Sequence, residues 1–392
     1  MQIAQFGFVE LYQEAPDWRG VSGREPAVFF SGRLGEDRWQ GREWMRMAEH
    51  TPDRLEAPGG SVALALRMTN EAVLAAADVS EPHLRAPLSA RISALWKVSD
   101  LELAAREAGA ALALAEAIDD PYVRSFTLAQ VSGDLAAADP PSAATAARAA
   151  LRAAKTVTDL GSRTVALAEA AKALGASDYA RARRVLTEAE HLAGSACSCK
   201  RRCLPAAVLE RTAALDPEDA LRKADRIPDP RARGVILARV IPRLAAVDPQ
   251  RAVALVEQVP ELHEKIEAWS KLCGALVAIH PALAVFAAEC AEANARFSHY
   301  ELVQLKALAQ VAWSLHRADS VRAMRLLSAA ETVFEQTDPS YSRSLTAGEL
   351  ARAQARFDVE RGESTARQIV QPHPRAHAFM LLAEDLRAGA GL

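Results

Sequence analysis

Residues 229–261 read DPRARGVILARVIPRLAAVDPQRAVALVEQVPE. Two Asp-Pro pairs, Asp229-Pro230 and Asp248-Pro249, each open a run rich in Ala, Leu and Val at helical spacing. An Asp side chain can accept from the free N–H groups of a first helical turn, and Pro fits that turn because its missing N–H has no partner to lose. The stretch therefore predicts a helix, a tight turn and a second helix. Variants of the same unit fill most of the chain.

Working outward from Asp248, the starts of second helices fall at Asp100, Asp139, Asp178, Asp216, Asp248, His280, Asp319 and Asp358, in steps of 39, 39, 38, 32, 32, 39 and 39 residues. Four residues beyond each stands Ala104, Ala143, Ala182, Ala220, Ala252, Ala284, Ala323 or Gly362. A small side chain at every unit is what close helix–helix approach demands, because a larger one would push the pair apart. Four residues before the markers stand Trp96, Leu135, Leu174, Thr212, Leu244, Leu276, Leu315 and Gln354, a position expected to face the core, with Thr212 and Gln354 as its two weak members.

Nineteen residues before the markers lie the expected first-helix starts, Glu81, Asp120, Asp159, Cys197, Asp229, Glu261, Tyr300 and Pro339, five of them acidic. Four residues further on come Arg85, Arg124, Arg163, Arg201, Arg233, Lys265, Gln304 and Arg343. A base near a helix N-terminus opposes the helix dipole, yet an acid four residues before a base is the favourable pairing order. The pattern is read as a structural ladder of cap and base, with a basic strip for an anionic ligand as the competing reading. The 32-residue steps remove seven residues from the second helix, nearly two turns. At about 1.5 Å of rise per residue this leaves a notch about 10 Å deep beside units four to six, where a ligand is expected.

Half of the 392 residues are hydrophobic and 5 % are aromatic, which suits helices packed through small side chains. A net charge of −3 argues against a general nucleic-acid binder, which needs a clustered positive field. Met1 is followed by QIAQFGFVEL, which has neither a basic region nor a long apolar core, and no apolar run is long enough to cross a bilayer. The expected location is cytoplasmic, with reduced thiols. Residues 1–60 differ from the remainder: they hold eight of the 21 aromatic residues and little Ala, and are read as an irregular N-terminal cap or small extra domain. The helical array is expected over residues 61–392, with a closing helix near 374–386.

The helix–turn–helix periodicity over roughly residues 81–386, with openings such as DPQRA at 248–252, resembles the tetratricopeptide-like and HEAT-like helical repeats. That resemblance implies an all-α fold, a right-handed α-solenoid of about eight repeats with a period of 32–39, that binds proteins or peptides on a concave face. Some HEAT-like proteins act on nucleic acids, which supplies an alternative.

The sharpest local feature is Cys197-x-Cys199-x3-Cys203. With His191 from the preceding helix, three thiolates and an imidazole would satisfy tetrahedral zinc, and Lys200, Arg201 and Arg202 would favour the thiolates. A metal- or thiol-dependent enzyme, or an enzyme's accessory subunit, is the corresponding alternative function. Cys273 and Cys290, and Trp269 and Trp313, stand at apolar helical positions and are expected in the core. His280 is read as a substitute for the capping Asp. No phosphate-binding, dinucleotide-binding or nucleophile-elbow motif occurs, so no catalytic residue is assigned and a non-catalytic scaffold is expected.

Overall fold

The computed structural model describes residues 58–195, 204–227 and 229–390, and the expected cap at residues 1–60 lies almost wholly outside them. The described residues form eighteen α-helices and no strand. Helix α1 (Pro58–Ala77) is followed by pairs of helices: α2 (Pro82–Trp96) with α3 (Leu101–Glu116), α4 (Pro121–Leu135) with α5 (Pro140–Thr156), and α6 (Leu160–Leu174) with α7 (Tyr179–Ser195). Next come α8 (Leu204–Leu215) with α9 (Pro217–Ala224), α10 (Pro230–Leu244) with α11 (Pro249–Glu257), and α12 (Leu262–Leu276) with α13 (Pro281–Arg296). The last are α14 (Glu301–Leu315) with α15 (Ser320–Gln336), α16 (Tyr341–Ala355) with α17 (Val359–Gln368), and a final helix α18 (Pro372–Ala390).

The markers are the N-caps of the second helices. The side chains of Asp100, Asp139, Asp216, Asp248, Asp319 and Asp358 accept from backbone N–H groups of the turn they open, and Asp178 accepts from Arg181 N at 3.0 Å. His280 holds the position without a side-chain bond, so its imidazole does not replace the carboxylate. Among the first helices, Asp120, Asp159 and Asp229 cap through their carboxylates, whereas Glu81 and Glu261 make no side-chain cap bond. The extra methylene of Glu carries the carboxylate past the N–H groups that Asp reaches. The eighth first helix is capped by Ser340 rather than by Pro339.

Every residue of the small register is buried. Gly362 shows why the site is tight: a Cβ there would lie 2.5 Å from Ala351 O and 2.8 Å from Ala355 Cβ, closer than atoms can approach. The position four before each marker is buried in all units, including Thr212 and Gln354. Thr212 satisfies its hydroxyl on Val208 O at 3.2 Å, and Gln354 bonds Glu331 and Thr365 at 2.8 and 2.6 Å. The residue at this position also closes the turn, its carbonyl accepting from the marker's own N–H, as in Asp248 N to Leu244 O at 2.7 Å.

The helix lengths place the shortening in the second helices. Among the first helices, α2, α4, α6, α10, α12, α14 and α16 all have 15 residues. Helices α9 and α11 have 8 and 9 residues against 16 or 17 in α3, α5, α7, α13 and α15. Helix α17, with 10 residues, is a third short one that the spacing of the eight markers does not reveal.

Each first helix packs against the first helices on either side, α2 against α4, α4 against α6 and so on to α16 against α18. Each second helix packs mainly against its own partner and the next first helix. Crowding on one side and splaying on the other is the mark of a curved array, with the first helices on the inside. The gaps between second helices are crossed by long ion pairs about one unit apart in sequence: Arg183 with Asp216 at 3.2 Å, Lys223 with Glu190 at 2.6 Å, Arg251 with Glu218 at 2.7 Å and Arg322 with Glu289 at 2.7 Å.

The curve closes. Helix α18 packs along α1 and also touches α2, and residues from both ends share one core, among them Met68, Ala72, Ile92, Ala347, Phe379, Met380 and Leu382. Helix α1 takes the place of a second helix: Arg67 pairs with Glu363 of α17, and Arg367 of α17 pairs with Glu71 at 3.2 Å, continuing the outer series of ion pairs. The sequence pattern predicts an array ended by an N-terminal cap and a closing helix near 374–386, with no contact between its two ends. It misses the closure because α1 and α18 carry half of a hairpin each and lie at opposite ends of the chain.

Replacing Gly362 with Ala is expected to cost about 1–3 kcal/mol, since overpacking outweighs the better helix propensity of Ala. Urea unfolding measures it; an unchanged or higher midpoint would show that α16 and α17 are not in contact.

Candidate binding surface

The inner face of the first helices carries a belt of charged side chains. Glu169 on α6 holds Lys172 at 2.9 Å and Arg211 of α8 at 2.8 Å. Arg211 continues to Glu210 at 2.8 Å, and Glu210 to Arg239 of α10 at 3.0 Å. Arg239 lies 3.8 Å from Glu267 of α12, which holds Lys271 at 2.5 Å. A second arc runs over the last first helices. Asp385 of α18 receives Arg352 at 2.8 Å, Arg356 at 3.4 Å and the Trp313 indole N–H at 2.5 Å, and both arginines stack over that indole. Arg91 of α2 reaches Glu384 of α18 at 2.6 Å across the closure.

The belt follows a register. Nine residues before each marker stand Arg91, Gln130, Glu169, Ala207, Arg239, Lys271, Gln310 and Glu349, so seven of the eight are long and polar inside helices that are otherwise apolar. This polar register is visible in the sequence, but it is distinct from the expected small, apolar and cap-and-base registers.

Burial and neighbours set the charges. Burial alone would raise the Glu267 carboxyl, but Lys271, Lys306 and Arg239 hold it down to about 2. Burial lowers Lys271, which Glu267 partly restores, while Arg239 and Lys306 push it down further. Three cations thus gather on one carboxylate along α10, α12 and α14. For Glu169, burial is outweighed by Lys172 and Arg211, and the carboxyl stays below its usual range. Burial lowers Arg356, with Arg352 and Arg317 adding repulsion that Asp385 only partly offsets.

At three units the side chain four residues into the first helix, two bases and the neutral Gln304, turns backwards. Arg124 donates to Ile118 O at 3.0 Å, Lys265 to Glu257 O at 3.4 Å, and Gln304 to Ser298 O at 2.5 Å. They meet the carbonyl end of the preceding second helix, where positive charge is favoured. That explains their recurrence at these units, and the partner is the previous helix rather than the acid four residues before. Arg343 instead lies over the Phe334 ring, 4.1 Å from its centroid.

Of the proposed zinc ligands, Cys197, Cys199 and Cys203 lie outside the described residues, and His191 is exposed near the end of α7. Cys273 is buried and its thiol is pushed up to about 12 by burial. Cys290 is half-buried, and burial with Glu257 and Glu289 raises it to about 11. Neither is a thiolate near neutral pH. Trp269 is buried against Phe286, edge to face at 5.8 Å, whereas Trp313 is half-buried in the polar belt. Glu261, His263 and Glu264 bring their ligand atoms within 4.8 Å of one another at the start of α12. Among the described residues no helix is long and apolar enough to cross a membrane.

Glu169→Gln removes the carboxylate shared by Arg211 and Lys172 and is expected to cost about 2–3 kcal/mol in urea unfolding, less than a fully buried pair because Lys172 reaches water. An effect near zero would mean the belt is solvated. A second expectation concerns acid. The Glu267 carboxyl is depressed in the folded chain, so its contribution is present above the usual carboxylate range and is lost as the pH falls towards about 2. Burial, with Arg91, His373 and Arg352, holds His377 down to about 3. The unfolded chain takes up that proton near about 6.5, so stability falls across this interval as well. Melting temperature should decline as the pH drops below 6.5, and His377→Phe should remove the upper part of the decline; a flat profile would contradict both.

No family model matches the chain, and no curated protein matches it. A solved structure, the crystal structure of Ton1535 from Thermococcus onnurineus NA1, is similar at a TM-score of 0.37 and 14 % identity, covering 78 % of this chain and 93 % of that one.

Proposed function

We propose that the chain is a non-catalytic binding scaffold, a right-handed coil of about eight helix–turn–helix repeats, that holds an acidic segment of a protein or peptide along the first helices of units four to six. The observation that carries the reading is the charge on that face. Lys172, Arg211, Arg239, Lys271 and Lys306 stand against Glu169, Glu210 and Glu267, and the excess gathers where Arg239, Lys271 and Lys306 share Glu267. A partner carboxylate there would relieve the mutual repulsion of the three cations. The short second helices α9 and α11 follow α8 and α10 but belong to the outer layer, so the notch expected from the 32-residue steps lies on the other side of the array from this face.

The test uses the intact chain and a fluorescein-labelled glutamate-rich peptide. Anisotropy should show saturable binding that weakens as salt rises, because exposed charges are screened. Lys306→Glu, which breaks no ion pair of the belt, should weaken binding at least about tenfold, near 1.4 kcal/mol. No binding at low salt, or binding indifferent to the charge reversal, would overturn the reading.

A further inference from the structure

Two charged groups of opposite sign, neither of them in an ion pair among the described residues, line one pocket. The pocket is open to solvent, has a volume of about 430 Å³ and lies where α18 meets α2 and α4. Arg91, Leu95, Val98, Asp134, Glu384 and Arg387 form most of its wall. Arg91 and Glu384 satisfy one another. Asp134, half-buried on α4, makes no hydrogen bond and no ion pair within the described residues, and burial drives its carboxyl up to about 7 against the pull of Arg91. Arg387 is only 8 % exposed, yet its guanidinium meets no carboxylate. Its contacts are Ala94 O at 3.5 Å and Ser99 Oγ at 3.4 Å, both neutral and both at the limit of hydrogen-bond length.

A buried cation with two long contacts to neutral oxygens is poorly compensated, and the carbonyl end of α2 that supplies one of them carries only a fractional charge. Elsewhere in the belt even less buried arginines have a carboxylate partner, as Arg352 has Asp385 and Arg211 has Glu169. Asp134 and Arg387 do not pair with each other, so the space between them is where both could be satisfied at once. Its volume is that of a small-molecule site, and Leu95 and Val98 supply apolar wall between the polar ends.

We propose that this cavity binds a small amphoteric molecule of the amino-acid class, its carboxylate on Arg387 and its ammonium on Asp134 with Glu384 beside it. Unlike the acidic-segment site, it lies at the closure of the array and uses none of the residues of units four to six. The ligand also ties α18 to α2 and α4, so binding would stabilise the closed form.

The test is calorimetric titration of the full chain with a series of ω-amino acids of increasing length: glycine, β-alanine, γ-aminobutyrate, δ-aminovalerate and ε-aminocaproate. At least one should bind saturably, and the fatty-acid anion and the alkylamine of the same length should each bind at least about tenfold more weakly. Asp134→Asn and Arg387→Gln should each weaken the best ligand at least about tenfold as well. Should Arg387→Gln fail to fold, Asp134→Asn and the two half-ligands still decide. Carbon-detected titration of Asp134, which faces Arg91, Glu384 and Lys172, should show its carboxyl falling well below 7 once ligand is saturating. Absence of binding across the series, equal binding of the plain carboxylate, or an Asp134 titration that ligand does not move would each overturn the proposal.

Discussion

The architecture depends on how closely two antiparallel helices approach at one point in each hairpin. The marker caps the second helix, and the residue four later sits against the first helix. Where that residue is Ala, one methyl separates the backbones; at Gly362 even a methyl would collide with Ala351 and Ala355. The geometry of each hairpin follows from this contact and from the turn closed by the marker's own N–H. Because the contact recurs at one register, neighbouring hairpins present the same surface to each other, and the first helices, nearly all of one length, pack side by side.

Constant first helices and variable second helices separate two tasks. The inner helices fix the curvature. The outer helices shorten at α9, α11 and α17 without disturbing it, and long arginine and lysine side chains bridge what remains between them. Surface pairs of that kind contribute little individually, so most of the stability rests on the apolar register and on the meeting of α1 with α18. That meeting removes the exposed end faces an open array has to cover with polar caps. It also brings Arg91, Asp134, Glu384 and Arg387 into one place, although they lie near opposite ends of the chain.

Much of this was legible in the sequence. The eight markers are N-cap positions, the small register is buried throughout, and the shortened units lose their length in the second helix. What escaped has physical reasons. His280 shares the position of the aspartates, but its ring does not accept from the turn. Arg124 and Lys265, bases after first-helix caps, answer the preceding helix, an interaction that no spacing within one helix reveals. The charged register nine residues before each marker is visible on the page, but an isolated charged residue in an apolar helix reads as solvated surface until its neighbours are known. Closure could not be read at all, because pairing between α1 and α18 depends on the accumulated rotation of every hairpin between them. The cysteines at 197, 199 and 203 lie outside the described residues, so the zinc reading rests on its spacing alone.

Backbone hydrogen exchange tests the central claim most directly. A closed array has no terminal unit among its helices, so the amides of residues 58–77 and 372–390 should be protected to nearly the same degree as those of residues 230–276 and should open together with them. Exchange at both of those ends orders of magnitude faster than in the middle would describe an open rod with fraying termini, and would contradict the account.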